Sequence, residues 1–258
     1  MIATLGDLLL DVIVVLEGHL VPGDDSPAVT RVAAGGQAAN VAAWVTASGG
    51  EARFIGKRGA DAAGEVVLRQ LEALGVEVRG PQAGRTGVVV SIAAGGERTM
   101  ASDRGSAPEL SPAELEPSWF DCDVLHISGY SLHREPLASA AAGAAELARG
   151  NGARVAVDLS TWSSIDDAFR SRVRAIRPDL VFAGEREREA FGTLDASWIV
   201  KRGARGVVVD GVEHPAAATD VVDPTGAGDA FAAGYLVGGV ELGLAAAARC
   251  CARMGAMP

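Results

Sequence analysis

With 33 acids against 23 bases, this 258-residue chain carries a formal net charge of −10, which repels a nucleic-acid backbone. No apolar run approaches the ~20 residues needed to cross a bilayer, so neither nucleic acid nor membrane is an expected partner. A 48% apolar fraction with 33 glycines suits a compact, turn-rich soluble protein large enough to bury a sizeable core.

Residues 1–5 predict a buried first strand, and Gly6-Asp7 ends it at the level where ligands sit in open α/β sheets. Asp11 follows within reach of that edge. Short β-like runs at 12–16 and 29–33 flank a Pro/Gly/Asp turn, while runs at 88–92 and 98–100 read as a hairpin across Ala94-Gly95-Gly96. Together these predict a small sheet beside the main body. Elsewhere apolar runs alternate with helical patterns, through 38–47, 53–55, 64–74, 124–127, 136–148, 155–158, 168–176 and 180–183. That alternation implies right-handed β-α-β units, a mostly parallel sheet and helices on both faces. Strands at 198–200 and 207–210 enclose a glycine turn, and a strand ending at Val222 leads into a helix beginning near Gly226. The run Arg170, Arg172, Arg174 and Arg177 reads as a solvated helix face.

Cys122, Cys250 and Cys251 match neither a disulfide framework nor a zinc spacing. The N-terminus runs directly into an apolar strand with no basic leader, so a reducing cytoplasm is the expected setting. No repeat or interdomain linker interrupts residues 1–258, which predicts a single domain.

The segment Asp223-Pro224-Thr225-Gly226-Ala227-Gly228-Asp229-Ala230-Phe231 carries the chemistry. Amides at a helix start are unpaired and favour anions, and glycine lets them approach closely. Those of Gly226, Ala227 and Gly228 form a candidate anion cradle beside Asp229, a carboxylate able to take a hydroxyl proton. Such a pairing is what phosphoryl transfer to an alcohol requires. Gly35-Gly36-Gln37-Ala38-Ala39-Asn40 precedes another helix, where paired glycines admit a ligand and Asn40 offers both donor and acceptor to a polyol. Other chemistries fail on spacing. There is no Gly-x-x-x-x-Gly-Lys-Ser/Thr loop, no complete dinucleotide fingerprint, no Gly-x-Ser-x-Gly elbow, and the four histidines are scattered.

The Asp223 to Phe231 string resembles the C-terminal signature of the ribokinase-like (PfkB) carbohydrate kinases, and the resemblance recurs along nearly the whole chain. It implies a ribokinase-like α/β three-layer sandwich with a mostly parallel central sheet and a small β-sheet lid, formed by about 12–34 and 86–101. It implies Asp229 as catalytic base, Gly226, Ala227 and Gly228 as anion hole, and Asp11, Gly35, Gly36 and Asn40 at substrate-contacting positions. Arg104 follows the second lid hairpin, placed either to contact an acidic substrate or the transferred phosphate, or to pair with Asp103 or another surface acid.

On the nucleotide side, Gly184-Glu185-Arg186-Glu187 stands in place of the family's Asn-x-x-Glu motif, with Glu187 matching the glutamate that organises phosphate and magnesium and Gly184 replacing the asparagine. Lys201-Arg202-Gly203-Ala204-Arg205-Gly206 resembles the loop along the ATP phosphates, with Lys201 adding charge and Gly203 and Gly206 allowing the turn. A plain β-turn needs the same glycines. Asp223 and the Thr225 carbonyl match a monovalent-cation site of several relatives, potassium being one candidate, and an Asx-type turn is the alternative. ATP and Mg²⁺ are thus the expected cofactors, and a small sugar or sugar derivative the expected substrate. A nucleoside kinase or a non-catalytic relative is the alternative; the absence of aromatic residues from the lid hairpins favours a sugar. Lid edges pair two copies in many relatives, which makes a homodimer through the lid one further expectation.

Overall fold

The computed structural model describes residues 1–94 and 97–258. In chain order the elements are β1 (Ile2–Leu5), β2 (Leu9–Leu16), β3 (Ala28–Gly35), α1 (Gln37–Ala47), β4 (Ala52–Ile55), α2 (Ala62–Ala73), β5 (Glu77–Arg79), β6 (Thr86–Ala94) and β7 (Glu97–Gly105). There follow β8 (Val124–Ser128), α3 (Leu137–Gly150), β9 (Arg154–Asp158), α4 (Asp167–Ile176), β10 (Leu180–Gly184), α5 (Glu185–Phe191), β11 (Ser197–Lys201), β12 (Val207–Val209), β13 (Val212–His214), α6 (Ala227–Gly238) and α7 (Val240–Cys251). The Gly95-Gly96 part of the expected hairpin lies outside the described residues.

The large sheet has the order β13-β12-β11-β10-β9-β8-β1-β4-β5 and is parallel except where β12 pairs with its two neighbours. Its central strands are buried on both faces, so they read as continuous apolar runs rather than alternating ones. Ile2, Val124, Ala156 and Phe182 point into the layer built with α1, α6 and α7. Ala3, Leu5, Leu125, Ile127, Val155 and Val157 point into the layer with α3 and α4. Helices therefore cover both sides, as the alternating pattern requires. The strand order runs outward in both directions from β1 and β8, which opens a crevice beyond their carboxyl ends.

A second sheet has the order β3-β2-β6-β7, with β2 and β6 parallel and the outer pairs antiparallel. Alternation puts Asp11, Ile13 and Val15 on one face, with Arg104 on the same face of β7.

Two sequence expectations fail. Residues 215–222 form no strand; Val222 and Asp223 instead donate their amides to the carbonyl of Cys251, at 2.8 and 3.1 Å, and Val221 and Val222 are exposed. Apolar character there came without a neighbouring strand to pair with. The arginine run of α4 is not merely solvated either: Arg170 reaches the Ala190 carbonyl, Arg172 those of Leu132 and His133, and Arg174 lies over the Phe191 ring.

Candidate active site

The crevice is built from chain ends that come from different parts of the sequence. Gly36, the N-cap of α1, has φ 98, and a Cβ there would lie 2.4 Å from the Asp7 carbonyl. Only glycine takes that backbone conformation without strain and permits so close an approach. The helix is thereby tucked under the end of β1, and its first turn delivers Gln37 and Asn40 to the crevice. Across it, α6 begins at Gly226, with φ 78, where a Cβ would meet Ala256 at 2.6 Å.

Asp229, in the first turn of α6, faces α1. Asn40 Nδ2 donates to its Oδ2 at 2.8 Å. Its proton affinity is pushed up to about 7, first by burial and then by the charge of Asp158, while Asn40, Lys201 and Gln37 pull the other way. A carboxyl held near neutrality is matched to proton abstraction at physiological pH. Among the described residues the amides of Gly226 and Gly228 have no acceptor, but that of Ala227 donates to the Pro224 carbonyl at 3.2 Å. Of the three amides expected to form a cradle, that of Ala227 is thus taken up within the tight turn, which closes on itself there.

Lys201, expected to add charge to a loop along the ATP phosphates, is the last residue of β11 and is drawn inward. Its Nζ lies 2.5 Å from Oδ2 of Asp158, a carboxylate 1% exposed at the end of β9. Burial works against the ammonium charge, but Asp158, through charge and hydrogen bond, carries the balance upward, and the lysine stays protonated. A Cβ on Gly228 would lie 3.3 Å from that Nζ, so the cation stands beside the start of α6. Two positive features side by side, an ammonium and a helix N-terminus, suit an anion between them. Gly203 and Gly206 shape the turn from β11 to β12, where a Cβ on Gly206 would strike the His214 carbonyl at 2.0 Å.

Asp11 and Gly35 are coupled by space: a Cβ on Gly35 would fall 2.2 Å from the Asp11 carboxyl carbon. Arg104 pairs with neither Asp103 nor a surface acid. Asp103 is held by Arg85, and Arg104 grips buried Asp7 through two contacts of 2.6 and 2.8 Å. The Glu187 side chain makes no hydrogen bond or ion pair among the described residues, and its Oε2 lies 2.2 Å from where a Cβ of Gly184 would stand. Tyr130, whose hydroxyl is pushed up chiefly by burial, senses Asp229, Asp158, Arg104 and Glu187 together.

Asp223 closes an Asx-type turn. Its Oδ1 accepts from the amide and hydroxyl of Thr225 at 2.9 and 2.6 Å, and its Oδ2 from the Gly255 amide at 3.0 Å. The Thr225 carbonyl accepts from the Cys250 thiol. No cluster of three or more His, Cys, Asp or Glu side chains suited to a metal occurs among the described residues.

The assignment of roles from sequence missed Asp7, Gln37, Ser128, Asp158 and Ser160. Asp7 and Asp158 stand at strand carboxyl ends and Gln37 lies within the Gly35 to Asn40 string, which are the signals that mark them; the serines carry none.

A family model described as pfkB family carbohydrate kinase matches residues 1–257. The ATP-dependent ribose-1-phosphate kinase of Halopiger xanaduensis is 30% identical, over 83% of this chain and 76% of its own. The fructokinase of Escherichia coli is 31% identical, over 93% of this chain and 84% of its own. The crystal structure of the adenosine kinase from Sinorhizobium meliloti superposes with a TM-score of 0.87 at 27% identity, covering 100% of this chain and 95% of that one. The three-layer core, the separate small sheet and a match over nearly the full length lead to one assignment: the chain belongs to the pfkB family and is a carbohydrate kinase.

Proposed function

We propose that the protein transfers the γ-phosphoryl group of ATP to a hydroxyl of a small sugar or sugar derivative, with Asp229 as general base. The observation that carries this reading is the placing of Asp229 in the first turn of α6, its Oδ2 accepting from Asn40 at 2.8 Å and the Lys201 ammonium standing beside Gly228, with burial pushing its proton affinity up to about 7. Asp229 takes the hydroxyl proton as the acceptor oxygen forms its bond to the γ-phosphorus. The bond from that phosphorus to the bridging oxygen breaks, and its electron pair leaves with ADP. Charge on the transferring group is offset by the amides of Gly226 and Gly228 and by the Lys201 ammonium.

On the acceptor side, Asp11 and the Oδ1 of Asn40 are hydrogen-bond acceptors for sugar hydroxyls. Asn40 Oδ1 is buried without a partner among the described residues, a state that a substrate hydroxyl would relieve. Gly35 and Gly36 keep this wall bare of side chains. Glu187, an uncommitted carboxylate, fits the outer sphere of a magnesium ion, with Gly203 and Gly206 in the neighbouring turn. The ion, when bound, neutralises phosphate charge. Potassium at Asp223 and the Thr225 carbonyl would require exchanging hydrogen bonds those oxygens already accept, and titrating turnover with potassium tests it.

An ADP-release screen over sugars and nucleosides, with Asp229→Asn as control, tests the proposal. Turnover of at least one sugar is expected, and the variant should lose ~10²-fold or more. Turnover of nucleosides alone would favour the adenosine kinase likeness, and full activity in the variant would remove Asp229 from the mechanism.

A further inference from the structure

Trp44 lies in α1, one helical turn beyond Asn40, and is 0% exposed. A buried indole N–H needs an acceptor. Trp44 Nε1 donates to the Ala256 carbonyl at 2.7 Å, across 212 residues of chain. The guanidinium carbons of Arg249, in α7, and Arg253, just beyond it, stand 5.4 and 5.8 Å from the centre of the same ring. At that range a cation is drawn to an aromatic face. Arg249 also donates to the Ala47 carbonyl, at the end of α1, at 3.2 Å. One side chain thereby fastens α1 to the stretch that runs from α7 into the Gly255-Ala256 turn.

That turn backs the start of α6. Gly226 packs on Ala256 so closely that a Cβ would fall 2.7 Å from the Ala256 Cα and 3.0 Å from the same carbonyl oxygen that Trp44 holds. The Gly255 amide, in a residue with φ 89, donates to Asp223 Oδ2 at 3.0 Å, and the other oxygen of Asp223 takes the amide and hydroxyl of Thr225. The turn therefore meets residues 223–226 at two points, a hydrogen bond at Asp223 and van der Waals contact at Gly226. Asn40, four residues before Trp44 and so on the same face of α1, holds Asp229. Both ends of this helix start are thus braced from α1.

We infer that Trp44 is a positioning residue for phosphoryl transfer: its indole N–H holds the Gly255-Ala256 turn against Gly226 and so fixes the amides of Gly226 and Gly228 where they meet the transferring group. This rests on the role proposed above for those amides and not on the role of Asp229. Donors stabilise developing charge only from fixed positions, and a displacement of about 1 Å can cost ~10²-fold in rate. Phenylalanine fills most of the space of tryptophan without its donor, which separates the hydrogen bond from the packing.

The test is Trp44→Phe, read by the ¹⁵N amide signals of Gly226 and Gly228, assigned by triple-resonance connection to Thr225 and Ala227, and by the kinetic constants for the best sugar of the screen. Both amide signals should shift from their wild-type positions. The kcat should fall by ~10-fold or more while the KM for the acceptor stays within a few-fold, because Asp11 and Asn40 are untouched. Val45→Ala, at a neighbour that is also 0% exposed, is the control for packing; it should lower the melting temperature and leave the two amides and kcat in place. Unmoved amides in a folded Trp44→Phe overturn the inference, as does an equal loss of kcat in Val45→Ala. Should Trp44→Phe fail to fold, Gly255→Ala strains the turn through its positive φ instead, and unmoved amides and kcat there overturn it equally. Unmoved amides count against Trp44 alone, whereas shifted amides with unchanged kcat defeat the amide role proposed above and the inference with it. Full turnover in Asp229→Asn defeats only the base assignment, and the same readouts still decide the role of Trp44.

Discussion

Arg104, from the last strand of the small sheet, holds Asp7, just past the first strand of the large one, with both guanidinium and carboxylate engaged in two parallel contacts. The Asp7 side chain is 7% exposed, so the pair is a buried tie between the two sheets rather than a surface contact. Truncation to Arg104→Ala strands that carboxylate, and a loss of ~3–5 kcal/mol is expected from denaturant unfolding, because an uncompensated buried charge costs far more than a missing surface pair. Arg104→Ala combined with Asp7→Asn should recover a good part of it. Equal losses in the single and double variants would show that the ion pair is not what stabilises the junction.

The same pair bears on the acceptor. Asp7 neutralises the guanidinium on this face of the small sheet, and Asp11 adds a further acid. An uncharged sugar should therefore be turned over at least ~10-fold better, by kcat/KM, than its phosphate ester, a difference worth about 1.4 kcal/mol. A preference for the phosphate ester in a side-by-side assay would mean that Arg104 leaves Asp7 when substrate binds.

How far the chain alone reveals this site follows from where its parts lie. Gly226, Gly228 and Asp229 lie within four residues, and Gly35, Gly36 and Asn40 within six, so a glycine-rich helix start with a nearby polar group is visible as a word in the sequence. The core strands were visible too, since burial on both faces leaves short apolar runs such as Val124 to Ile127. The supporting contacts are not words. Lys201 and Asp158 stand 43 residues apart, Gln37 and Ser128 91, and Arg104 and Asp7 97. Parallel strands bring the carboxyl ends with Lys201, Asp158 and Ser128 to one edge, which Gln37 reaches from a helix start and Arg104 from the small sheet, and a serine or glutamine carries no mark of which strand end it will face. Lys201 was read as a loop cation because its neighbours Gly203 and Gly206 do form a turn; its inward direction is set by the pairing of β11 with β10.

Lys201→Met removes the cation beside Gly228 and leaves Asp158 buried and unpaired. Loss of a charge that acts on the transferring group is expected to lower kcat by ~10²–10³-fold, with the acceptor KM within a few-fold of wild type. Because Lys201 also favours the ionised form of Asp229, the acid limb of the kcat profile should move to higher pH. A rise in KM for ATP with unchanged kcat would instead mark Lys201 as a ground-state nucleotide contact.

Asp229 makes stability depend on pH. Burial holds its carboxyl at about 7, above the ~3.9 of an unfolded chain. Between those values the native state retains a proton that the unfolded state has lost, so the stability contributed by this group falls as pH rises through that window. Above it the folded protein bears the cost of holding a partly buried charge. Asp229→Asn should accordingly melt a few degrees higher than wild type at pH 8, and the gap should close as pH is lowered toward 4. A gap that stays constant across this range would mean that the carboxyl titrates as it does in the unfolded chain.

Gly184 offers a separate handle on the phosphate side. The atom that a side chain there would strike is the tip of Glu187, a flexible group that can swing away, whereas those around Gly206 are backbone and those around Gly226 are the Cβ and backbone of Ala256, which cannot. Gly184 also caps α5 with φ −77 and ψ 173, an extended conformation open to any residue. Asparagine is a better N-cap than glycine by a few tenths of a kcal/mol, so Gly184→Asn should keep or slightly raise the melting temperature. What it changes is the direction of Glu187. The KM for magnesium ATP is expected to move by ~3-fold or more while the KM for the acceptor stays put, since Asp11 and Asn40 are untouched. If neither constant moves although Glu187 has been displaced, its carboxylate takes no part in holding the metal nucleotide.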